Sequence, residues 1–292
     1  MNARVREAAT GLAWVSPWLV GCVVFLLWPI AMSVHYSFTD YALVDSPVWV
    51  GLDNYRELAG DRLFAVAMAN TFAYAALAVT LGTLASVGIA VLLEQRLRGA
   101  SLVRSLVFVP TLVPVVANCV VWLWLLNPEY GFVNGLLAAV GLGGPNWLGE
   151  RSTALPTMAA MGLWVIGSPL LVCSAALKDV PASLYEAAEI DGMGAFRRFV
   201  HVTLPMISPA LFFNGLMSVI WSLQVLAPPM IMTRGGPDNA TLTYSMYVYK
   251  TAFEFGRMGY ASALAWVQIL VTVALAAIVV AASRRFIHHR NA

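Results

Sequence analysis

The sequence predicts an all-α integral membrane protein built on six spanning helices, and three observations carry that expectation. First, 60% of its 292 residues are hydrophobic and only 11% are charged, against about 45–50% and about 25% in soluble domains. So little charge cannot clothe a globule of this size in water, and the excess apolar surface must face lipid. Second, six stretches reach the roughly 20 apolar residues that a helix needs to cross hydrocarbon. None of the six holds an Asp, Glu, Lys or Arg. Third, Lys and Arg are biased to one side of these stretches, as in oriented membrane proteins.

The spans run over about 12–37, 64–93, 105–126, 154–177, 206–232 and 261–283. The first follows Arg4 and Arg6 in the manner of a signal peptide. It is too long for one, and VHYSFTDY offers no small-residue cleavage site, so it reads as a span. Prolines interrupt the third (Pro110, Pro114), the fourth (Pro169) and the end of the fifth (Pro228, Pro229). Membrane helices tolerate this where neighbours satisfy the freed carbonyls. Cys22, Cys119 and Cys173 each fall in an apolar stretch with no metal spacing, which reads as packing rather than a disulfide framework or zinc site.

Eleven basic residues share one side: Arg4, Arg6, Arg96, Arg98, Arg104, Lys178, Arg197, Arg198, Arg284, Arg285 and Arg290. The other side holds six, Arg56, Arg62, Arg151, Arg234, Lys250 and Arg257, with Asp40, Asp45, Asp53, Glu57 and Asp61. Both termini are therefore expected in the cytoplasm. The basic tail around His288 and His289 is expected to anchor the last helix at the inner headgroups.

Between the fourth and fifth spans lies the cytoplasmic loop 178–205, with LYEAAEIDGMGAFRRFVHVTLP at its centre. Ser183 and Glu186 have capping-box spacing, which predicts a helix from Leu184 to Asp191. Gly192 suits a left-handed helix end. A second short helix is expected from Ala195 to Val202, with Leu204-Pro205 turning into the fifth span. The small Ala187 and Ala188 allow close docking into a partner's groove, with Glu186 and Asp191 as ionic contacts at the rim. The competing reading is an amphipathic helix on the headgroups. Arg197 and Arg198 suit anionic lipid, but the acidic first half is repelled by it.

Glu186-Ala187-Ala188, three residues, Gly192, nine residues, then Val202-Thr203-Leu204-Pro205 resembles the EAA loop of ABC importer membrane subunits. The only departure is Val202 for the family's isoleucine. GLDNYREL (51–58), VPTLVPVV (109–116), NPEYGFVN (127–134) and RGGPDNAT (234–241) look like the sugar-permease branch, related to the maltose and glycerol-phosphate permeases. The compact chain has no room for the extra helices and large periplasmic insertion of the larger maltose subunit. The resemblance implies a single permease domain, 1–292, with the type I ABC importer fold, in a bacterial or archaeal plasma membrane. It implies three partners, a second related permease, an ATPase dimer and an extracytoplasmic solute-binding protein, with a carbohydrate as the substrate. ATP and magnesium would be bound by the ATPase, leaving this chain without a cofactor; no nucleic acid is expected. The coupling residues it implies are Glu186, Ala187, Ala188, Asp191, Gly192, Leu204 and Pro205.

A hydroxyl-rich solute needs hydrogen-bonding groups and flat apolar faces. Asn214, Ser218, Trp221 and Ser222 fall at i, i+4, i+7 and i+8 on one helical face of the fifth span, with Gln224 nearby. Trp164 and Ser168, an i,i+4 pair in the fourth span, are candidates for the opposite wall. The alternative is interhelical packing, where such polar bonds contribute only about 0.6–2 kcal/mol each. In the maltose relative the corresponding span contributes to sugar contacts.

Other functions fit less well. No G-x-x-x-x-G-K-[ST] loop occurs, so energy must arrive from outside the chain. An ion-coupled carrier usually holds ionisable groups in its spans, and these spans have none. A membrane enzyme would need a nucleophile and base or a metal set; His35 and His201 fall on opposite membrane faces. An anionic solute, as in a glycerol-phosphate permease, would want an Arg or Lys in the pathway, which favours a neutral sugar.

Overall fold

The structure is a computed structural model that describes residues 3–94 and 99–283. Arg96, Arg98, Arg284, Arg285, His288, His289 and Arg290, which carry part of the charge bias and the tail anchor, lie outside the described residues, as do the side chains of Arg4 and Arg6. In chain order the helices begin with α1 (Thr10–Ser37), α2 (Asp53–Gly60), α3 (Arg62–Glu94), α4 (Ala100–Leu112) and α5 (Val115–Leu125). Then come α6 (Phe132–Ala139), α7 (Ala154–Val165), α8 (Gly167–Lys178), α9 (Ala182–Ile190) and α10 (195–206). The last are α11 (Ser208–Leu223), α12 (Ala227–Met232), α13 (Tyr244–Tyr249) and α14 (Met258–Ser283). Strand β1 (Thr39–Asp40) pairs antiparallel with β2 (Val48–Trp49).

Among the described residues four helices are long and apolar enough to span a membrane, and six spans result if each bent pair is counted as one. The second and sixth expected spans are unbroken (α3, α14). The third is bent by 104° between α4 and α5, and the fourth by 53° between α7 and α8. The third bends where Val113, at ψ 128°, precedes Pro114; proline excludes its predecessor from the α region. The fifth is interrupted between α11 and α12, ahead of Pro228 and Pro229.

The chain divides into two compact units, 1–61 with 248–269, and 62–247 with 270–292. In the first, α1 is exposed along its apolar length, as a lipid-facing helix must be. The GLDNYREL segment is a structural tie. Asn54 donates from Nδ2 to the carbonyls of Ser37 and Thr39, both at 2.9 Å, and the Tyr55 hydroxyl donates to Ser37 Oγ at 2.8 Å. Arg257 grips Glu57 with two bonds of 2.7 and 2.6 Å, and the Tyr260 hydroxyl donates to Asp61 at 2.7 Å. The guanidinium holds the Glu57 carboxyl below its ordinary pKa. Gly259 has no room for a side chain, because a Cβ there would strike the Thr39 carbonyl.

The second unit is organised around α3. Its small residues Ala67, Thr71, Ala75, Ser86 and Ala90 are buried, which lets neighbouring backbones approach closely. Against it pack α8, α11 and α7. One core joins Ala90, Leu93, Leu170, Cys173, Leu177, Val180 and Ile207, and a second joins Cys119, Leu126, Met158, Met161 and Met232. All three cysteines are free thiols, and Cys119 and Cys173 are packed as expected.

Candidate functional site

The loop 178–205 folds as an elbow. Helix α9 begins at Ala182 behind Pro181 and has no side-chain cap. The expected Ser183–Glu186 capping box therefore does not form. Pro181 occupies the N-cap position itself, with φ −59° and ψ 131°, and the Leu184 amide donates to its carbonyl at 3.1 Å, so Ser183 falls inside the first turn. The C-terminal end matches expectation. Gly192 has φ +70°, its amide donates to the Glu189 carbonyl at 3.0 Å, and the Met193 amide donates to the Ala188 carbonyl at 2.9 Å. This is a complete Schellman closure.

The return arm, α10, also differs from expectation. Leu204 and Pro205 are helical rather than a turn. A widened turn over Phe199–Thr203, with the Leu204 amide bonded to the Phe199 carbonyl, accommodates the proline ring. The chain breaks instead at Ile207, with φ −89° and ψ 0°. The arms are tied by a 3.1 Å bond between the Tyr185 and Thr203 hydroxyls and by the Glu189–Arg198 ion pair.

The two alanines point different ways. Ala188 is buried, and the nearby Tyr185 packs against the core. The outward face carries Leu184, Ala187 and Ile190 at i, i+3 and i+6, flanked by the exposed Glu186 and Asp191. Ile190 is 87% exposed and Phe196, on the second arm, 78%. Burial of such side chains contributes about 1.5–3 kcal/mol each, so the elbow offers a partner an apolar surface with an acidic margin.

A cavity of about 390 Å³ lies among α3, α4, α7, α8 and α11. The structure brings Asn214, Ser218, Trp221 and Ser222 together along its wall, opposite Thr83, Ser86 and Thr111. No lining residue is ionisable. Thr111 Oγ1 is buried without a hydrogen-bond partner. Asn214 is also a structural tie: its Nδ2 donates to the Pro169 carbonyl at 3.0 Å and to Cys173 Sγ at 3.4 Å. Trp221 is 69% exposed and stands at the open side.

Trp164, Ser168 and Gln224 do not line this cavity. Trp164 packs edge-on against Trp122 at 6.0 Å, while Ser168 and Gln224 are exposed. The 53° bend redirects α8 after Ile166, so the i,i+4 relation of an unbroken helix does not apply to Trp164 and Ser168. Sequence reasoning missed Thr83, Ser86 and Thr111. The first two are polar residues at i,i+3 on α3, a signal available from the sequence.

The profile of binding-protein-dependent transport system inner membrane components matches residues 82–291. The chain belongs to this family. This permease is 33% identical over 98% of its length to the probable ABC transporter permease protein YesP of Bacillus subtilis, covering 94% of that protein. It is 33% identical to the diacetylchitobiose uptake system permease protein NgcF of Streptomyces coelicolor, over 94% of this chain and 82% of the relative. The crystal structure of a bacterial ABC transporter that imports the acidic polysaccharide alginate matches with a TM-score of 0.85 at 21% identity, covering 97% of each chain. The permease has the type I ABC importer fold, and its elbow and cavity belong to a transport protein of the inner membrane.

Proposed function

We propose that this permease forms, with a second related permease, the pathway by which an ATP-driven importer carries a neutral carbohydrate across the inner membrane. The solute would be a disaccharide, oligosaccharide or polyol delivered by an extracytoplasmic solute-binding protein. The observation that carries this reading is the cavity: Thr83, Ser86, Thr111, Ser218 and Ser222 line it together with Trp221, whose indole stands at the open side, and no lining residue is charged. Hydroxyls grip hydroxyls, an indole stacks on the apolar face of a sugar ring, and an uncharged lining suits an uncharged solute. Diacetylchitobiose, named for NgcF, belongs to that class.

Both termini and the elbow lie in the cytoplasm in this reading, supported by the basic bias of that side. A separate ATPase dimer binds ATP and magnesium and grips Leu184, Ala187, Ile190 and Phe196, with Glu186 and Asp191 at the margin. Closure of the ATPase pair draws the elbows of the two permeases together. The Schellman bend and the Tyr185–Thr203 and Glu189–Arg198 ties make each elbow stiff enough to pass that motion to α8 and α11. The second permease covers the open side at Trp221.

The test is Trp221→Ala in the assembled importer. Saturable uptake of the delivered sugar is expected to fall at least about tenfold, since a stacked aromatic contact and its buried area are both lost. ATPase association should be unchanged. Normal uptake affinity with the indole removed contradicts the assignment of the cavity to the pathway.

A further inference from the structure

A second pocket lies at the opposite end of α3 from the elbow. It has a volume of about 370 Å³ and is lined by Arg62, Leu63, Val66, Arg151, Asp238 and Asn239. Two arginines and one aspartate are among its lining residues. Among the described residues neither arginine is ion-paired with a carboxylate. Glu150, beside Arg151 in sequence, has its carboxylate turned to the Asn146 amide at 3.4 Å. The lining therefore carries a net positive charge, with Asp238 as a carboxylate that is ion-paired to neither arginine.

Its loop wall is built rather than slack. Arg234, Asp238 and Asn239 all have positive φ, at 54°, 47° and 58°, a region that side chains with a Cβ adopt at a cost. The surrounding bonds hold them there. Asn70 Nδ2, two turns along α3 from Arg62, donates to the carbonyls of Asn239 at 2.7 Å and Leu242 at 3.0 Å. The Thr233 and Thr241 hydroxyls meet at 2.6 Å, and Thr241 Oγ1 donates to the Gly236 carbonyl at 2.8 Å. Strained backbone kept in place by several independent bonds marks positions whose geometry is used.

We propose that this pocket is a docking socket for an acidic side chain of the solute-binding protein. The proposal rests on the orientation given above, which places Arg62, Arg151 and Asp238 outside the cytoplasm, and on the dependence of this family on a binding protein. Two unpaired guanidiniums offer forked donors to a carboxylate. Asp238 and Asn239 receive the polar groups beside it. Leu63 and Val66 take the methylenes of the incoming side chain.

The experiment uses the complete importer in lipid nanodiscs, with its solute-binding protein titrated and stimulated ATP hydrolysis read. Arg62→Glu with Arg151→Glu should raise the half-maximal binding-protein concentration about tenfold or more in about 50 mM salt. The gap should shrink to about threefold or less in about 500 mM salt, where exposed charges are screened. Hydrolysis without binding protein should not change, and Arg62→Lys with Arg151→Lys should lose much less. Lysines in place of exposed acids on the binding protein's docking face should recover the response of the Glu variant. An unchanged half-maximal concentration at both salts overturns the socket. So does unchanged docking with a raised uptake KM for the solute, because the pocket would then take the solute itself. If the unaltered importer does not respond to binding protein at all, the proposed function fails together with the socket. A normal response with an indifferent Glu variant removes the socket alone.

Discussion

Replacing Gly192 should uncouple transport in two graded steps. The residue sits at φ +70° inside a closure made by two bonds, Gly192 N–H to the Glu189 carbonyl at 3.0 Å and Met193 N–H to the Ala188 carbonyl at 2.9 Å. A Cβ built there meets nothing within 4 Å, so Gly192→Ala carries the backbone term alone, about 1–2 kcal/mol. That lowers the equilibrium constant between bent and unbent elbow by a factor of about 5–30. Gly192→Pro goes further. The ring fixes φ near −65°, and the lost amide removes a hydrogen bond that contributes about 0.5–1.5 kcal/mol. The bend is then out of reach. The assay measures membrane-inserted protein, co-purified ATPase and ATP-driven uptake for each variant. The alanine variant should transport several-fold more slowly. Gly192→Pro combined with Glu186→Ala should abolish uptake and loosen the ATPase while the chain stays in the membrane. Full uptake by that double variant refutes the coupling role of the elbow.

Asn214→Leu should act mainly on stability, because it deletes the 3.0 Å bond to the Pro169 carbonyl at a buried position. A loss of about 1–3 kcal/mol should appear as a lower Tm in detergent. The ion pair at Glu57 should be visible in pH dependence. Its folded pKa is depressed by Arg257, so the stabilisation is present above the ordinary carboxylate value of 4.5 and is lost as pH falls through the lower folded value. Tm should drop in that acid range, and Glu57→Gln should remove this part of the pH dependence. Gly259→Ala should destabilise the protein by about 1–3 kcal/mol, since the new methyl meets the Thr39 carbonyl and the Tyr41 amide, neither of which is a yielding side chain. A thermal shift below 1 °C would contradict that close approach.

The spans were legible because length and absence of charge are properties of composition, and lipid demands both. Gly192 was legible for the same kind of reason: only a residue without Cβ ends a helix in the left-handed region at little cost. The elbow's outward face was not. Ala187 and Ala188 are chemically identical, and which one is buried is a tertiary fact. Pro181 settled the start of α9 in competition with Ser183, and a local motif cannot announce that outcome. The cavity was half legible. The face at Asn214, Ser218, Trp221 and Ser222 follows from helical period, whereas Trp164 and Ser168 lie across a 53° bend that periodicity does not encode. The bend at Val113 to Pro114 was signalled by proline, but its 104° size is set by packing.

The most direct measurement is uptake into proteoliposomes holding this permease, its partner permease and the ATPase, with a labelled disaccharide on its binding protein supplied outside. Accumulation should require ATP inside and binding protein outside, and it should persist when proton and sodium gradients are collapsed. Accumulation that proceeds without ATP and disappears with an ion gradient would contradict an ATP-driven permease.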